Sequence, residues 1–120
     1  MSANTEYFPD KWVVVRIQGP SIPTTYKIFA CWYGGYLGED SWKMNSGIKA
    51  VTREDDHWIF EGYSGSIYRC HRERYGINMY GDGVLQDFIN RAKEKDVIMW
   101  VMPENIDWTM LDYGGTTKND

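Results

Sequence analysis

The sequence predicts an α+β domain in which one amphipathic helix packs on a bent antiparallel sheet of five or six strands. Short runs of β-branched and aromatic residues alternate with turn residues, as in antiparallel sheets. Helical periodicity is confined to one segment, Gly83 to Lys95. A chain of 120 residues suits one core, so we expect a single domain over residues 1–120, with a partly open barrel as an alternative arrangement of the sheet.

The first two predicted strands flank a loop. Lys11 to Ile17 is β-branched and ends before Gly19 and Pro20, which interrupt strand pairing. We expect a loop at residues 21–25 and a second strand at residues 26–32, paired with the first. The glycine-rich run from Gly34 to Gly38 must then leave the sheet.

A short edge strand and a three-stranded meander are predicted next. Turn chemistry at Asp55-Asp56 and at Ser64-Gly65 separates β-prone segments. In the middle run His57, Ile59 and Glu61 alternate with the ring-bearing Trp58 and Phe60, so at least one face of the strand carries rings. The edge strand is expected at residues 41–46, and the meander strands at residues 48–53, 57–63 and 66–72.

The helix and a final strand complete the predicted fold. Asp82 is a plausible N-cap, and Lys93 with Lys95 suits the negative end of the helix dipole. Residues 97–101 read as the last strand, closed by Pro103, and the ends near residues 1–8 and 114–120 are expected to be mobile. The apolar stripe assigned to the core comprises Val84, Leu85, Phe88, Ile89 and Ala92.

Composition and charge exclude several classes of protein. A net charge of −4 argues against a general nucleic-acid binder, which needs excess Lys and Arg. The longest apolar run, Val97 to Met102, is too short to span a bilayer, and residues 1–6 do not resemble a signal peptide. We therefore expect a cytoplasmic protein without membrane partners, in which Cys31 and Cys70 are free, buried thiols.

No catalytic, metal or cofactor motif stands out. The soft metal ligands are two cysteines and two histidines, and the adjacent Cys70 and His71 point to opposite faces of a strand. The carboxylate pairs lie in turns, where they are solvated, and no nucleophile elbow is readable. We predict no metal, no cofactor and no enzymatic activity.

One segment concentrates the features of a recognition surface. Between Cys31 and Trp42, four aromatic rings and three glycines occupy twelve positions. A phosphate-binding loop is disfavoured because acidic residues follow the glycines. The remaining interpretations are a structural turn over the core, or a loop that binds a partner or clamps a polar ligand between its rings. The candidate binding residues here are Trp32, Tyr33, Gly34, Gly35, Tyr36 and Trp42.

A basic run from Arg69 to Arg74 is the second candidate site. Arginine side chains match phosphate and carboxylate oxygens, so Arg69 or Arg72 could meet an anionic group. In strand alternation Arg69 and His71 share one face, while Arg72 lies on the other. A solvated strand end is the alternative, and the anion site is favoured only if the Gly34 to Gly38 loop folds next to the arginines.

Two segments, residues 32–42 and 64–71, resemble parts of small uncharacterised proteins of tailed bacteriophages, including phages of cyanobacteria. The resemblance implies a protein made in a bacterial host cytoplasm during infection and acting on a host factor or defence system. It assigns no functional residue.

Taken with the residues, this favours a non-enzymatic binding module that engages a host or phage protein through the aromatic, glycine-rich loop. A protein that binds or sequesters a nucleotide-like small molecule is the first alternative. A structural component that forms homo-oligomers is the second.

Overall fold

The computed structural model describes residues 5–35 and 38–114, which form eight strands and one α-helix. The predicted α+β class is therefore confirmed. Two short 3₁₀ turns follow β7 and β8, at Arg72–Arg74 and Trp108–Met110. The elements are β1 (Glu6–Tyr7), β2 (Lys11–Gly19), β3 (Ile22–Trp32), β4 (Ser41–Met44), β5 (Ile48–Glu54), β6 (His57–Gly62), β7 (Ile67–His71), α1 (Met79–Glu94) and β8 (Ile98–Val101).

The strands form two open sheets of four. One, here called the central sheet, has the order β4-β3-β2-β8, and the other, the meander sheet, has the order β1-β7-β6-β5. Every neighbouring pair is antiparallel except β1 and β7. The expected single sheet of five or six strands is thus replaced by two sheets that do not close into a barrel. The cause lies in β2, where Trp12 and Val14 are buried on one face and Val13 and Val15 on the other.

The hairpin of β2 and β3 is longer than predicted. Gly19 pairs with Ile22, so the connection is a two-residue turn, and the predicted loop over residues 21–25 is wrong. Pro23 is tolerated inside β3 because the ladder is irregular between Ile17 and Gly19. In addition, β4 pairs with β3 only from Phe29 onward, which leaves Pro23 without a second strand neighbour among the described strands.

The first core lies between the two sheets and is rich in aromatic rings. Trp108 enters it from the second 3₁₀ turn and is almost fully buried. Its ring centroid lies 6.1 Å from that of Trp12, 6.4 Å from that of Phe60 and 5.8 Å from that of Tyr75. Large rings let a small domain fill the space between two sheets with few residues, which accounts for much of the aromatic content.

The second core lies between the central sheet and α1. The predicted apolar stripe faces it: Leu85 is fully buried, and Phe88 packs beside it. The helix begins earlier than predicted, because Asn78, not Asp82, is the N-cap, and its Oδ1 accepts a hydrogen bond from the Gly81 N–H (2.7 Å). The glycines in the first two turns concealed this start from a reading based on helix propensity.

The described ends of the chain pack on this framework. Glu6 and Tyr7, within the stretch predicted to be mobile, form β1 beside β7. The predicted tail lies outside the described residues beyond position 114. Both cysteines are free and buried, Cys31 under α1 and Cys70 between the sheets. No helix in the described part of the chain is long and apolar enough to cross a membrane.

Candidate functional site

Two carboxylates fix the start of the glycine-rich loop where it leaves β3. The N–H of Tyr33 donates to Asp10 Oδ2, and the N–H of Gly34 donates to Asp40 Oδ1, both at 2.9 Å. A Cβ on Gly34 would lie 2.3 Å from the carbonyl carbon of Glu39, so the chain closes on itself here only with glycine. Gly35 has a φ of +72°, which also favours glycine. Tyr36 lies outside the described residues.

Trp32 packs against the N-terminal segment. Its ring contacts Tyr7 edge-on, with centroids 6.2 Å apart, and its Nε1 donates to the Phe8 carbonyl oxygen (3.0 Å). Both contacts of the Trp32 ring are therefore made within the protein. Trp32 holds residues 7–8 against the sheets and is a poor candidate for an exposed ligand-stacking ring.

Trp42 lies on the opposite face of the central sheet. It stacks on Phe29 with centroids 5.4 Å apart and planes 5° apart, and it meets Phe88 of α1 edge-on at 5.4 Å. Because Trp42 pairs with Cys31 in the ladder, not with Trp32, strand alternation sends the two tryptophans to different sides. These two rings therefore do not form a clamp around a shared ligand, which was one of the interpretations of this segment.

Four large exposed apolar side chains lie in segments that meet the end of β3, from both faces of the central sheet. We call the set Phe8, Tyr33, Met79 and Tyr80 the loop-end surface; their exposed fractions are 61%, 52%, 92% and 47%. Phe8 is held beside Trp32 by the hydrogen bond above. The start of α1 lies against the same end of β3, since a Cβ on Gly81 would be 2.3 Å from Cys31 Sγ.

Sequence reasoning identified only Tyr33 of this set. Phe8 fell in a presumed mobile end, while Met79 and Tyr80 precede the predicted helix start. Correct placement of the Asn78 cap would have marked Met79 and Tyr80 as the first, partly exposed turn of α1.

Arg69 forms salt bridges with two carboxylates on the outer face of the meander sheet. Its Nε lies 2.6 Å from Glu6 Oε1, and its Nη1 lies 3.1 Å from Glu54 Oε1. These hydrogen bonds raise the pKa of the Arg69 guanidinium. Glu6 and Tyr7 alternate in β1, so Arg69 lies on the face opposite to the one where Tyr7 meets Trp32. Arg69 therefore does not share a face with Trp32 at the described start of the glycine-rich loop, and the condition that would have favoured an anion site is not met there.

His71 and Cys70 lie on opposite faces of β7, as predicted. Cys70 points into the core, where burial raises the pKa of its thiol well above the ordinary value. His71 Nδ1 accepts a hydrogen bond from the Glu73 N–H (3.1 Å) and so caps the first 3₁₀ turn. The His57 ring lies 5.0 Å away from the His71 ring across the ladder. Among the described residues no group of three or more His, Cys, Asp or Glu side chains could hold a metal ion.

Arg72 borders an open groove on the surface of the protein. Its Nε is 3.1 Å from Asp56 Oδ1. The groove, here called the Trp58 groove, has a volume of about 400 Å³. The Arg53 guanidinium lies 4.9 Å from the centroid of the Trp58 ring and covers it. The lining also includes Glu73, Glu104 and Ile106, so charges of both signs meet there.

Comparisons with known proteins return no relative for this chain. No protein-family model matches it, and neither a curated protein nor a solved structure is significantly similar to it.

Proposed function

We propose that this chain is a non-enzymatic binding module that engages a protein partner through the loop-end surface. The observation that carries the proposal is that four large, exposed apolar side chains lie in segments that meet the end of β3, where hydrogen bonds hold residues 33 and 34. Aromatic residues and Met are enriched at protein interfaces, and contiguous exposed apolar patches mark interaction sites.

The shape of the site favours a protein over a small molecule. Small-molecule sites are concave and enclose most of their ligand. At the end of β3, Trp32 and Trp42 instead pack into protein on opposite faces, while Tyr33 stands on the surface. An exposed ring at Tyr33, whose backbone N–H is held by Asp10, offers a contact surface with little conformational entropy left to lose on binding.

The proposal is tested by comparing two double variants in a pull-down from bacterial lysate, with mass spectrometry of the retained proteins. Tyr33→Ala with Met79→Ala should abolish retention of a specific protein, because anchors at an interface contribute about 2 kcal/mol or more each. Ile22→Ala with Met110→Ala removes two exposed apolar side chains elsewhere and should retain it. Both should keep the thermal stability of the wild type. An identical set of proteins on all three baits would refute the proposed surface.

The resemblance to phage proteins supports the choice of lysate. If the chain acts during infection, its partner is a host or phage protein in the bacterial cytoplasm. Lysates of infected and uninfected cells, compared with the same baits, separate these two sources.

A nucleotide-like small molecule remains the second candidate, at the Trp58 groove. It is favoured by the size of the groove and by Arg72 at its rim, whereas Arg69 is already paired with two carboxylates. A search for co-purifying nucleotides tests it directly. A bound nucleotide lost with Arg72→Ala but kept with Arg69→Ala would support the groove, and its absence from purified wild type would leave the loop-end surface as the only candidate.

A further inference from the structure

The outer edge of β8 carries an inference that is independent of the loop-end surface. β8 is the last strand of the central sheet and pairs with β2 on one side only. Within residues 5–35 and 38–114, no strand pairs with its other side. That edge presents unpaired backbone groups in a fixed spacing, which is a template for another strand.

The ladder shows which backbone groups face outward. The Met102 N–H donates to the Val14 carbonyl oxygen (2.8 Å), so Met102 faces β2. In an antiparallel ladder alternate residues face the partner strand, and Trp100 and Ile98 therefore also face β2. The N–H and C=O groups of Met99 and Val101 point away from the sheet.

The side chains of β8 do not protect this edge. Ile98 to Val101 contains no charged residue, and Ile98 and Val101 are 57% and 37% exposed. Edge strands of stable proteins are usually blunted by charges, proline or bulges. The edge strands β4 and β5 follow this rule, with Lys43 in the first and Arg53 with Glu54 in the second.

We propose that β8 pairs antiparallel with β8 of a second copy of this chain, across a two-fold axis at Trp100. In this register Met99 pairs with the partner's Val101, and Val101 with the partner's Met99. All four outward groups of each copy are then hydrogen-bonded, and the two central sheets become one eight-stranded sheet.

Neighbouring registers satisfy fewer groups. Moving the axis to Val101 would set Met99 against the partner's Pro103, which has no N–H to donate. Moving the axis to Met99 would set Val101 against the partner's Val97, whose N–H is already bound to the Ala92 carbonyl oxygen (2.9 Å). Of these three registers, only the one centred on Trp100 leaves no outward backbone group without a hydrogen-bond partner.

The side chains fit the same register. Met99 and Val101 pair with Ile17 and Val15, so both project toward the α1 side of the sheet. A small apolar cavity of about 170 Å³ lies there, lined by Ile89, Lys93, Val97, Ile98 and Met99. The partner's Val101, opposite Met99, lies beside this cavity and can bury its exposed methyl groups in it. Because the strand has only four residues, we expect a concentration-dependent dimer instead of an obligate one.

Cysteine cross-linking tests the register. Trp100→Cys places two thiols opposite each other at a non-hydrogen-bonded pair, where the Cα atoms are about 4.5 Å apart and a disulfide is feasible. Ile98→Cys is the matched control, because the two introduced residues would be about 14 Å apart along the paired strands. The native thiols are buried and do not compete. Mild oxidation should therefore cross-link only the Trp100→Cys variant.

Sedimentation at increasing protein concentration tests the dimer without relying on a cysteine variant. Val101→Lys places a charge at both symmetry-related pairs and should weaken dimerisation at least about tenfold. Met110→Lys, a change at a side chain that is 77% exposed elsewhere, should not alter it. A wild type that stays monomeric up to roughly millimolar concentration, a dimer insensitive to Val101→Lys, or equal cross-linking of the two cysteine variants would each overturn the proposal.

Discussion

Gly81 lies where α1 approaches the central sheet most closely, and Gly81→Ala tests that packing directly. An added Cβ would lie 2.3 Å from Cys31 Sγ, with Asn78 Oδ1 at 3.0 Å and Ile77 Cγ1 at 3.1 Å. Since non-bonded heavy atoms settle at about 3.5 Å or more, the helix and β3 must separate by about 1.2 Å at this point. Neither partner is free to move, because Cys31 is fully buried and Asn78 caps the helix.

The magnitude follows from two opposing terms. Overpacking a core costs about 1–3 kcal/mol, while replacing glycine by alanine in a helix gains up to about 1 kcal/mol. With a gain of about 1 kcal/mol, Gly81→Ala should therefore lower the free energy of unfolding by up to about 2 kcal/mol. Gly83, two residues along the same helix, has no heavy atom within 4 Å of the position of its Cβ. Gly83→Ala should raise the free energy of unfolding by about 0.5–1 kcal/mol.

Urea unfolding of a double-mutant cycle provides the assay. Cys31→Ala removes the Sγ atom that the new methyl group would strike, so the Gly81→Ala, Cys31→Ala protein should be more stable than the sum of its single changes. We expect a coupling energy of about 1–2 kcal/mol. Gly81→Ala at least as stable as Gly83→Ala, or a coupling near zero, would show that the helix does not lie this close to β3.

Three further predictions concern the cores. Phe88→Ala should lower the free energy of unfolding by about 3–5 kcal/mol, whereas Gln86→Ala should leave the urea midpoint unchanged. Equal urea midpoints for Phe88→Ala and the wild type would mean that the apolar stripe of α1 is exposed. Burial raises the pKa values of Tyr68 and Tyr75 to about 12, above about 10 in the unfolded chain, so their protonated forms stabilise the fold fully below pH 10. Stability should fall as pH rises from about 10 to 12, and the phenolate absorbance of these tyrosines should appear at higher pH than that of exposed tyrosines. A urea midpoint that stays constant over this pH range would contradict the prediction. Cys70, buried with a raised thiol pKa, should resist alkylation until the protein unfolds, and rapid labelling of the native protein would place it at the surface.

Local patterns predicted the elements because each carries its own signal. Trp58 and Phe60 share one face of β6 in the first core, as their alternation predicted, and the spacing of Leu85 and Phe88 correctly indicated the face of α1. The division into two sheets carried no such signal. It depends on which strands pair, and pairing is a long-range property that the period of side chains along one strand does not contain.

Strand register also decides how the candidate binding residues are arranged. Trp32 and Trp42 are both close to the glycines in sequence, and proximity in sequence suggested a shared clamp. The ladder pairs Trp32 with Ser41 and Trp42 with Cys31, and this register sends the two rings to opposite faces. A pairing displaced by one residue would have placed them on the same face, so only the register decides whether this segment stacks a ligand.

The apolar run from Val97 to Met102 shows the converse case. It was correctly expected to form a strand, and an uninterrupted apolar run is typical of a strand buried on both faces. Its position at the edge of the central sheet leaves Ile98 and Val101 partly exposed, although their neighbour Met102 packs against the core. The role of the same apolar run therefore depends on its position in the sheet. In the middle of a sheet the run would only contribute to stability, whereas at the edge of the described sheet its outward backbone groups and exposed methyl groups are what the proposed pairing with a second copy would use.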